Sequence, residues 1–164
     1  MTTQPPAAAP AEVEAAVRSC VDRHRDAEGP LLPVLLDLVA AYGYLPAECV
    51  PLVARELNVS RADVHGVASF YRDLRTTPPG RTVVRVCRAE ACQAVGADAV
   101  VAAAELRTGL SLGETAADGS VTLDDVFCLG NCALGPSVEV DGVLHGRVDP
   151  ERMAELLTDS GGGS

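Results

Sequence analysis

The chain has 164 residues and a net charge of −10, with 13 basic against 23 acidic side chains, a balance that argues against the basic face a nucleic-acid binder needs. Apolar residues make up 48% of it, enough for one sizeable core or two small ones. Aromatics are only 3% and tryptophan is absent, so stacking platforms for bases or sugars are missing.

The N-terminal string Met1-Thr-Thr-Gln-Pro-Pro-Ala-Ala-Ala-Pro10 has neither a basic start nor a continuous apolar stretch, unlike a secretory signal. A cytoplasmic address is expected, and residues 1–10 are expected to be a disordered tail. The longest apolar stretch, Leu31 to Ala41, is broken by Pro33 and Asp37 and falls far short of the ~20 residues of a membrane span. No membrane insertion is expected.

Residues 11–77 read as a helical domain. Val13, Val17, Cys20 and His24 recur at helical spacing, and Leu31, Leu35, Leu38 and Tyr42 repeat it. A third helix is expected over 46–57. A fourth opens at Ser60, where Ser60-Arg-Ala-Asp63 supplies a capping hydroxyl and an acid in the first turn, ahead of Val64, Val67, Ala68 and Tyr71. The pair Phe70-Tyr71 is expected to pack this domain, with partner docking as the other use of two aromatics.

Thr76-Thr-Pro-Pro-Gly80 cannot continue a helix and marks the boundary. Up to Gly80 there are 7 basic and 10 acidic residues; beyond it there are 6 and 13, so most of the acidity lies in the second half. There, over residues 81–159, the period changes. Thr82-Val-Val-Arg-Val86 is a β-branched run leading into Cys87, Val95, Ala99, Ala102 and Leu106 mark a helix, and Val121 to Phe127 reads as a second strand ending at Cys128. Residues 137–140 and 142–144 flank Asp141-Gly142 as a hairpin, and Asp149-Pro150 opens a last helix. Residues 160–164 are expected to be a flexible tail.

Six cysteines in a reducing compartment point to metal or thiol chemistry rather than a disulfide framework. Four of them form two close pairs, Cys87-x4-Cys92 and Cys128-x3-Cys132, each starting where a predicted strand ends. If those strands are neighbours, both loops reach one sheet edge and the four sulfurs meet. A dithiol oxidoreductase needs Cys-x-x-Cys at a helix N-terminus, which neither pair offers. Structural zinc accepts such pairs, as a zinc-stabilised interaction module, while an iron–sulfur cluster fits the wider x4 spacing best. Cys20 and Cys49 read as small buried hydrophobes, His65 and His145 as ordinary polar contacts, and His24 as a helix residue without a functional role. No phosphate-cradling glycine pattern or catalytic triad is present, so catalysis by this chain alone is not expected.

The strings Leu31-Leu-Pro-Val-Leu35, Gly43-Tyr-Leu-Pro46, Val64-His-Gly-Val-Ala-Ser-Phe-Tyr71, Val86-Cys-Arg-Ala-Glu-Ala-Cys92 and Phe127-Cys-Leu-Gly-Asn-Cys132-Ala-Leu-Gly-Pro136 occur in this order. Together they resemble the 24-kDa-type subunit of NADH:quinone oxidoreductase and the related gamma subunit of NAD-dependent formate dehydrogenase. The resemblance implies an α+β chain: an N-terminal helical bundle, then a thioredoxin-like domain holding one [2Fe–2S] cluster. It implies Cys87, Cys92, Cys128 and Cys132 as ligands, the first pair on one iron and the second on the other. It also implies electron exchange with a flavoprotein subunit that binds FMN and NAD. The stretches Cys87–Gln93, Thr115–Thr122 and His145–Asp149 resemble the formate dehydrogenase type most, which implies a large molybdenum- or tungsten-containing partner; quinone oxidoreductases and NAD-reducing hydrogenases use similar modules. Around the ligands, Arg88 is expected to oppose Glu90, Asp124 and Asp125 electrostatically. Gly130 and Gly135 are expected to let backbone N–H groups approach sulfur, and Pro136, just before a predicted strand and close to the ligand loop, is a candidate for a cis bond.

Overall fold

The computed structural model describes residues 10–161. It is of the α+β class and divides into two compact units that part between Pro78 and Pro79.

The first unit is helical. Its elements are α1 (Pro10–Arg23), α2 (Leu31–Tyr42), α3 (Cys49–Leu57) and α4 (Arg61–Phe70). The repeating apolar positions become one core: Val17, Val34, Leu35, Leu38, Val53 and Val64 are fully buried, and burying each side chain of this size is worth about 1.5–3 kcal/mol. Gly43 ends α2 at φ 78°, its N–H closing on the Val39 carbonyl, a left-handed stop that glycine adopts without a Cβ penalty. Cys20 and Cys49 lie in this core and form no disulfide. Burial is the main cause that pushes the Cys49 thiol up to about 11, with Glu48 adding to it.

Ser60 caps α4 as its sequence implied. Its Oγ accepts from the Asp63 N–H at 3.0 Å, and an Asp63 carboxylate oxygen accepts from the Ser60 N–H at 3.0 Å. Ser60→Ala is therefore expected to lower stability by about 1 kcal/mol, read as a denaturation midpoint shift; no shift would mean that the box contributes nothing. Two expectations fail in this unit. The third helix begins at Cys49, not 46, because residues 46–48 form a turn in which the Pro46 carbonyl accepts from the Cys49 N–H. Phe70 is 78% exposed, its ring set edge-on to Tyr71 with centroids 5.1 Å apart; α4 buries Val64 and Ala68, and Phe70 falls on another face.

The second unit is a sheet with helices. In chain order it comprises β1 (Thr82–Cys87), α5 (Glu90–Ala94), α6 (Ala97–Thr108), β2 (Glu114–Thr115), β3 (Val121–Val126), β4 (Val138–Val140), β5 (Val143–His145) and α7 (Pro150–Gly161), with a short 3-10 turn at Cys132–Leu134. The strand order is β2-β3-β1-β4-β5; β1 and β3 run parallel, the other neighbours antiparallel. Alternate residues Val84, Val86, Leu123, Val138 and Val140 bury one face beneath Val100, Val101 and Ala104 of α6 and Met153 and Leu156 of α7.

Three details differ from the sequence reading. The helix after Cys87 is two helices, and α6 buries Ala97, Val100, Val101 and Ala104, whereas Val95 and Leu106 are 55% and 88% exposed. An alanine-rich helix offers two faces of similar apolarity, and the sheet selects the one its valines can fill. The two-residue β2 carries no pattern long enough to read. Helix α7 continues through residue 160 to Gly161 instead of ending in a tail, since serine and glycine each cost at most about 1 kcal/mol of helix propensity. Of the tail expected over 1–10, Pro10 instead opens α1, and residues 1–9 and 162–164 lie outside the described residues. Among those residues no helix is long and apolar enough to cross a membrane.

Candidate metal centre

The parallel register of β1 and β3 places Cys87 opposite Val126, and the Arg88 N–H extends the ladder to the Val126 carbonyl at 2.8 Å. Both chain segments therefore leave the sheet at the same edge. The β1 exit carries Cys87 and turns into α5, which bears Cys92; the β3 exit carries Cys128 and, after a three-residue loop, Cys132.

The two loops interlock through their backbones. The Cys87 sulfur is influenced by the backbone amides of Ala89 in its own loop and of Leu129 and Cys128 in the other, and by the neighbouring Cys92 thiol. Burial pushes the Cys87 thiol up, but these donors more than offset it, so the net direction is down, toward thiolate. The Cys92 thiol is pushed up, first by burial and then by Cys87, against hydrogen bonds from Ser137. Cys128 Sγ and Cys132 Sγ stand 3.7 Å apart. Two thiolates on one tetrahedral metal, at ~2.3 Å each, stand about 3.8 Å apart, so this pair is already at chelating distance. Its proximity to Cys128 is the main cause that pushes the Cys132 thiol up.

Cys87 and Cys92 are buried at 2% and 1% exposure, while Cys128 and Cys132 are exposed. The site thus has an inner pair packed against Ala97 and an outer pair at the surface. Among the described residues no three His, Cys, Asp or Glu side chains gather around a single ion position.

The neighbours are placed as follows. Gly130, at φ 76°, donates its N–H to Cys128 Sγ at 3.3 Å; the positive φ aims that N–H at the sulfur, and Cys128 itself sits at φ 95°. The Gly135 N–H goes to the Cys132 carbonyl, not to sulfur. What Gly135 gives the site is room: a Cβ there would stand 3.3 Å from Cys92 Sγ and 3.2 Å from Val95. The Gly135–Pro136 peptide is cis. Arg88 is half-buried, its Nη2 3.6 Å from Asp98 of α6, a partner that sequence proximity did not suggest. His145 lies on β5 and His65 is exposed on α4.

Sequence reasoning missed two residues. Ser137 is 1% exposed and accepts the Cys87 N–H on its carbonyl at 3.0 Å. Asn131, between the outer ligands, donates from Nδ2 to Ser137 Oγ at 3.2 Å. The available signal was positional: Ser137 opens the strand that pairs with β1, so it had to face Cys87.

Residues 17–160 match the family described as thioredoxin-like [2Fe-2S] ferredoxin. The chain is 39% identical over 115 residues to the E-type subunit of the NADH-quinone oxidoreductase of Pseudomonas aeruginosa, covering 70% of this chain and 69% of that one. It is 36% identical over 132 residues to the HndA subunit of the NADP-reducing hydrogenase of Solidesulfovibrio fructosivorans, covering 80% and 77%. Among solved structures it resembles a chain of an NAD+-reducing [NiFe]-hydrogenase in the H2-reduced state, with a TM-score of 0.66 and 21% identity over 77% of this chain. At that identity the likeness shows the fold alone, and this chain spans about a fifth of that one, 22%.

Proposed function

The chain belongs to the thioredoxin-like [2Fe-2S] ferredoxin family, and on that premise we propose that Cys87, Cys92, Cys128 and Cys132 hold one [2Fe–2S] cluster through which it exchanges electrons with an FMN- and NAD-binding partner subunit. The observation that carries the reading is the pair of cysteine loops leaving adjacent parallel strands at one edge, one pair buried and one exposed. When bound, the cluster supplies reversible one-electron transfer.

The chain's own residues do the rest. The inner pair anchors, because its side chains are buried and shielded from water. The outer pair brings the site to the surface, where Phe127, Leu134 and Val95 leave 61%, 41% and 55% of their surface exposed. Apolar groups beside an exposed redox site suit a partner that docks there and excludes water. A cytoplasmic, reducing setting goes with this, since oxidation of the ligand thiols competes with metal binding.

For the host complex we propose a formate dehydrogenase with a large molybdenum- or tungsten-containing subunit, on the resemblance of Cys87–Gln93, Thr115–Thr122 and His145–Asp149 to that type. The names of the relatives favour the second reading, a quinone oxidoreductase or a hydrogenase. Isolating the native complex through a tag on this chain tests it. Formate-dependent NAD+ reduction by the isolate, with molybdenum or tungsten present, is the expected result; a membrane assembly reducing quinone, or hydrogen-dependent activity, overturns it.

A further inference from the structure

We propose that Asn131 is a positioning residue: its carboxamide and carbonyl close a two-bond bracket on the buried Ser137 hydroxyl, and this bracket holds the outer ligand loop in register with the inner pair. This rests on the reading of the four cysteines as ligands.

Ser137 is the joint between the two loops. Its carbonyl accepts the Cys87 N–H at 3.0 Å, which ties it to the strand end that carries the inner pair. Its hydroxyl goes to the outer loop, where it accepts from Asn131 Nδ2 at 3.2 Å and donates to the Asn131 carbonyl at 3.4 Å. Ser137 is 1% exposed, so bulk water cannot replace either bond. One residue thus supplies both the donor and the acceptor that this hydroxyl uses.

Asn131 passes the restraint on to the outer ligands. It stands directly before Cys132 and three residues after Cys128. Its carbonyl also accepts the Leu134 N–H at 2.9 Å, which closes the short 3-10 turn that carries Cys132. The carboxamide meets Gly146 as well, where a Cβ would stand 2.8 Å from Nδ2, so the group is confined between Ser137 and the 145–147 loop. Cys128 and Cys132 are exposed and gain little from burial, so polar contacts of this kind hold their loop. A sulfur that lets go of the metal is then kept where it rebinds, which is the advantage of a preorganised site.

Iron release to excess EDTA tests this, followed anaerobically as loss of visible absorption from the cluster-loaded full chain, together with the EPR line shape of the reduced state. Asn131→Ala and Ser137→Ala are each expected to release iron about tenfold faster than wild type, the lower end of what orienting partners contribute to metal sites. The double variant is expected to be no faster than either single one, since a bracket missing one end is already open, and all three to share one altered EPR line shape. Gly80→Ala, whose Cβ would meet the Val121 backbone at 2.7 Å, loses stability elsewhere and is expected to keep the wild-type rate and line shape. An unchanged rate in either single variant, effects that multiply in the double variant, or equally fast release from Gly80→Ala overturns the proposal. Where an alanine variant does not fold or load, Asn131→Ser decides: it keeps a turn-forming residue and the carbonyl but withdraws the carboxamide. Release about tenfold faster is again expected, and a wild-type rate overturns the proposal. A wild type that takes up no iron overturns the ligand reading itself, which is a separate outcome.

Discussion

Replacing any of Cys87, Cys92, Cys128 or Cys132 by alanine is expected to abolish the cluster's visible absorption and to reduce bound iron at least tenfold, but the four variants should not be equal in the metal-free chain. Cys87 and Cys92 are packed with Ala97 in a small core, at 2% and 1% exposure. Truncating either buried side chain leaves a void at a cost of about 1–3 kcal/mol. Cys128 and Cys132 are exposed, so their removal should leave metal-free stability nearly unchanged while still costing the cluster. Denaturation of the four metal-free variants checks this. Equal destabilisation of all four, or a cluster retained without one inner cysteine, contradicts the division into an anchoring and a surface pair.

Gly146→Ala is the second large expected effect, and it lies outside both cysteine loops. A Cβ at Gly146 would stand 2.8 Å from Asn131 Nδ2, 2.8 Å from Leu134 Cβ and 2.9 Å from the Leu134 carbonyl. The neighbouring Arg147 N–H is hydrogen-bonded to that same carbonyl at 2.6 Å, so the two segments cannot part without losing the bond. The outer ligand loop must move, and overpacking of this kind costs about 1–3 kcal/mol. Iron retention should fall with it. Gly80→Ala is the control: its Cβ would meet the Val121 backbone at 2.7 Å, at the end of β3 remote in register from Cys128. It should lose comparable stability yet load iron normally once folded. Normal loading of Gly146→Ala would show that the outer loop does not depend on this contact.

Much of the first unit was legible because helices carry their packing in their own period: Val17, Leu35, Leu38 and Val64 fall on the apolar stripes and are fully buried. The cysteine pairs were legible because a strand end followed by a close thiol pair, met twice, demands a shared edge, and the register of β1 with β3 provides it. What escaped reading depends on tertiary contact. No local pattern tells which alanine-rich face of α6 meets the sheet. Phe70 looked like a core aromatic, but its phase on α4 puts it outside. Ser137, Asn131 and Gly146 are inconspicuous in sequence; their roles come from the approach of β4 and of the 145–147 loop to the outer ligand loop.

The cluster itself is the central claim, and anaerobic purification of the full chain followed by metal, sulfide and EPR analysis tests it most directly. A coloured protein with about two iron and about two acid-labile sulfide per chain is expected, EPR-silent as isolated oxidised and giving a signal only after reduction. A colourless protein with one zinc and no iron, or one whose four thiols are all alkylated in the native state, would contradict it.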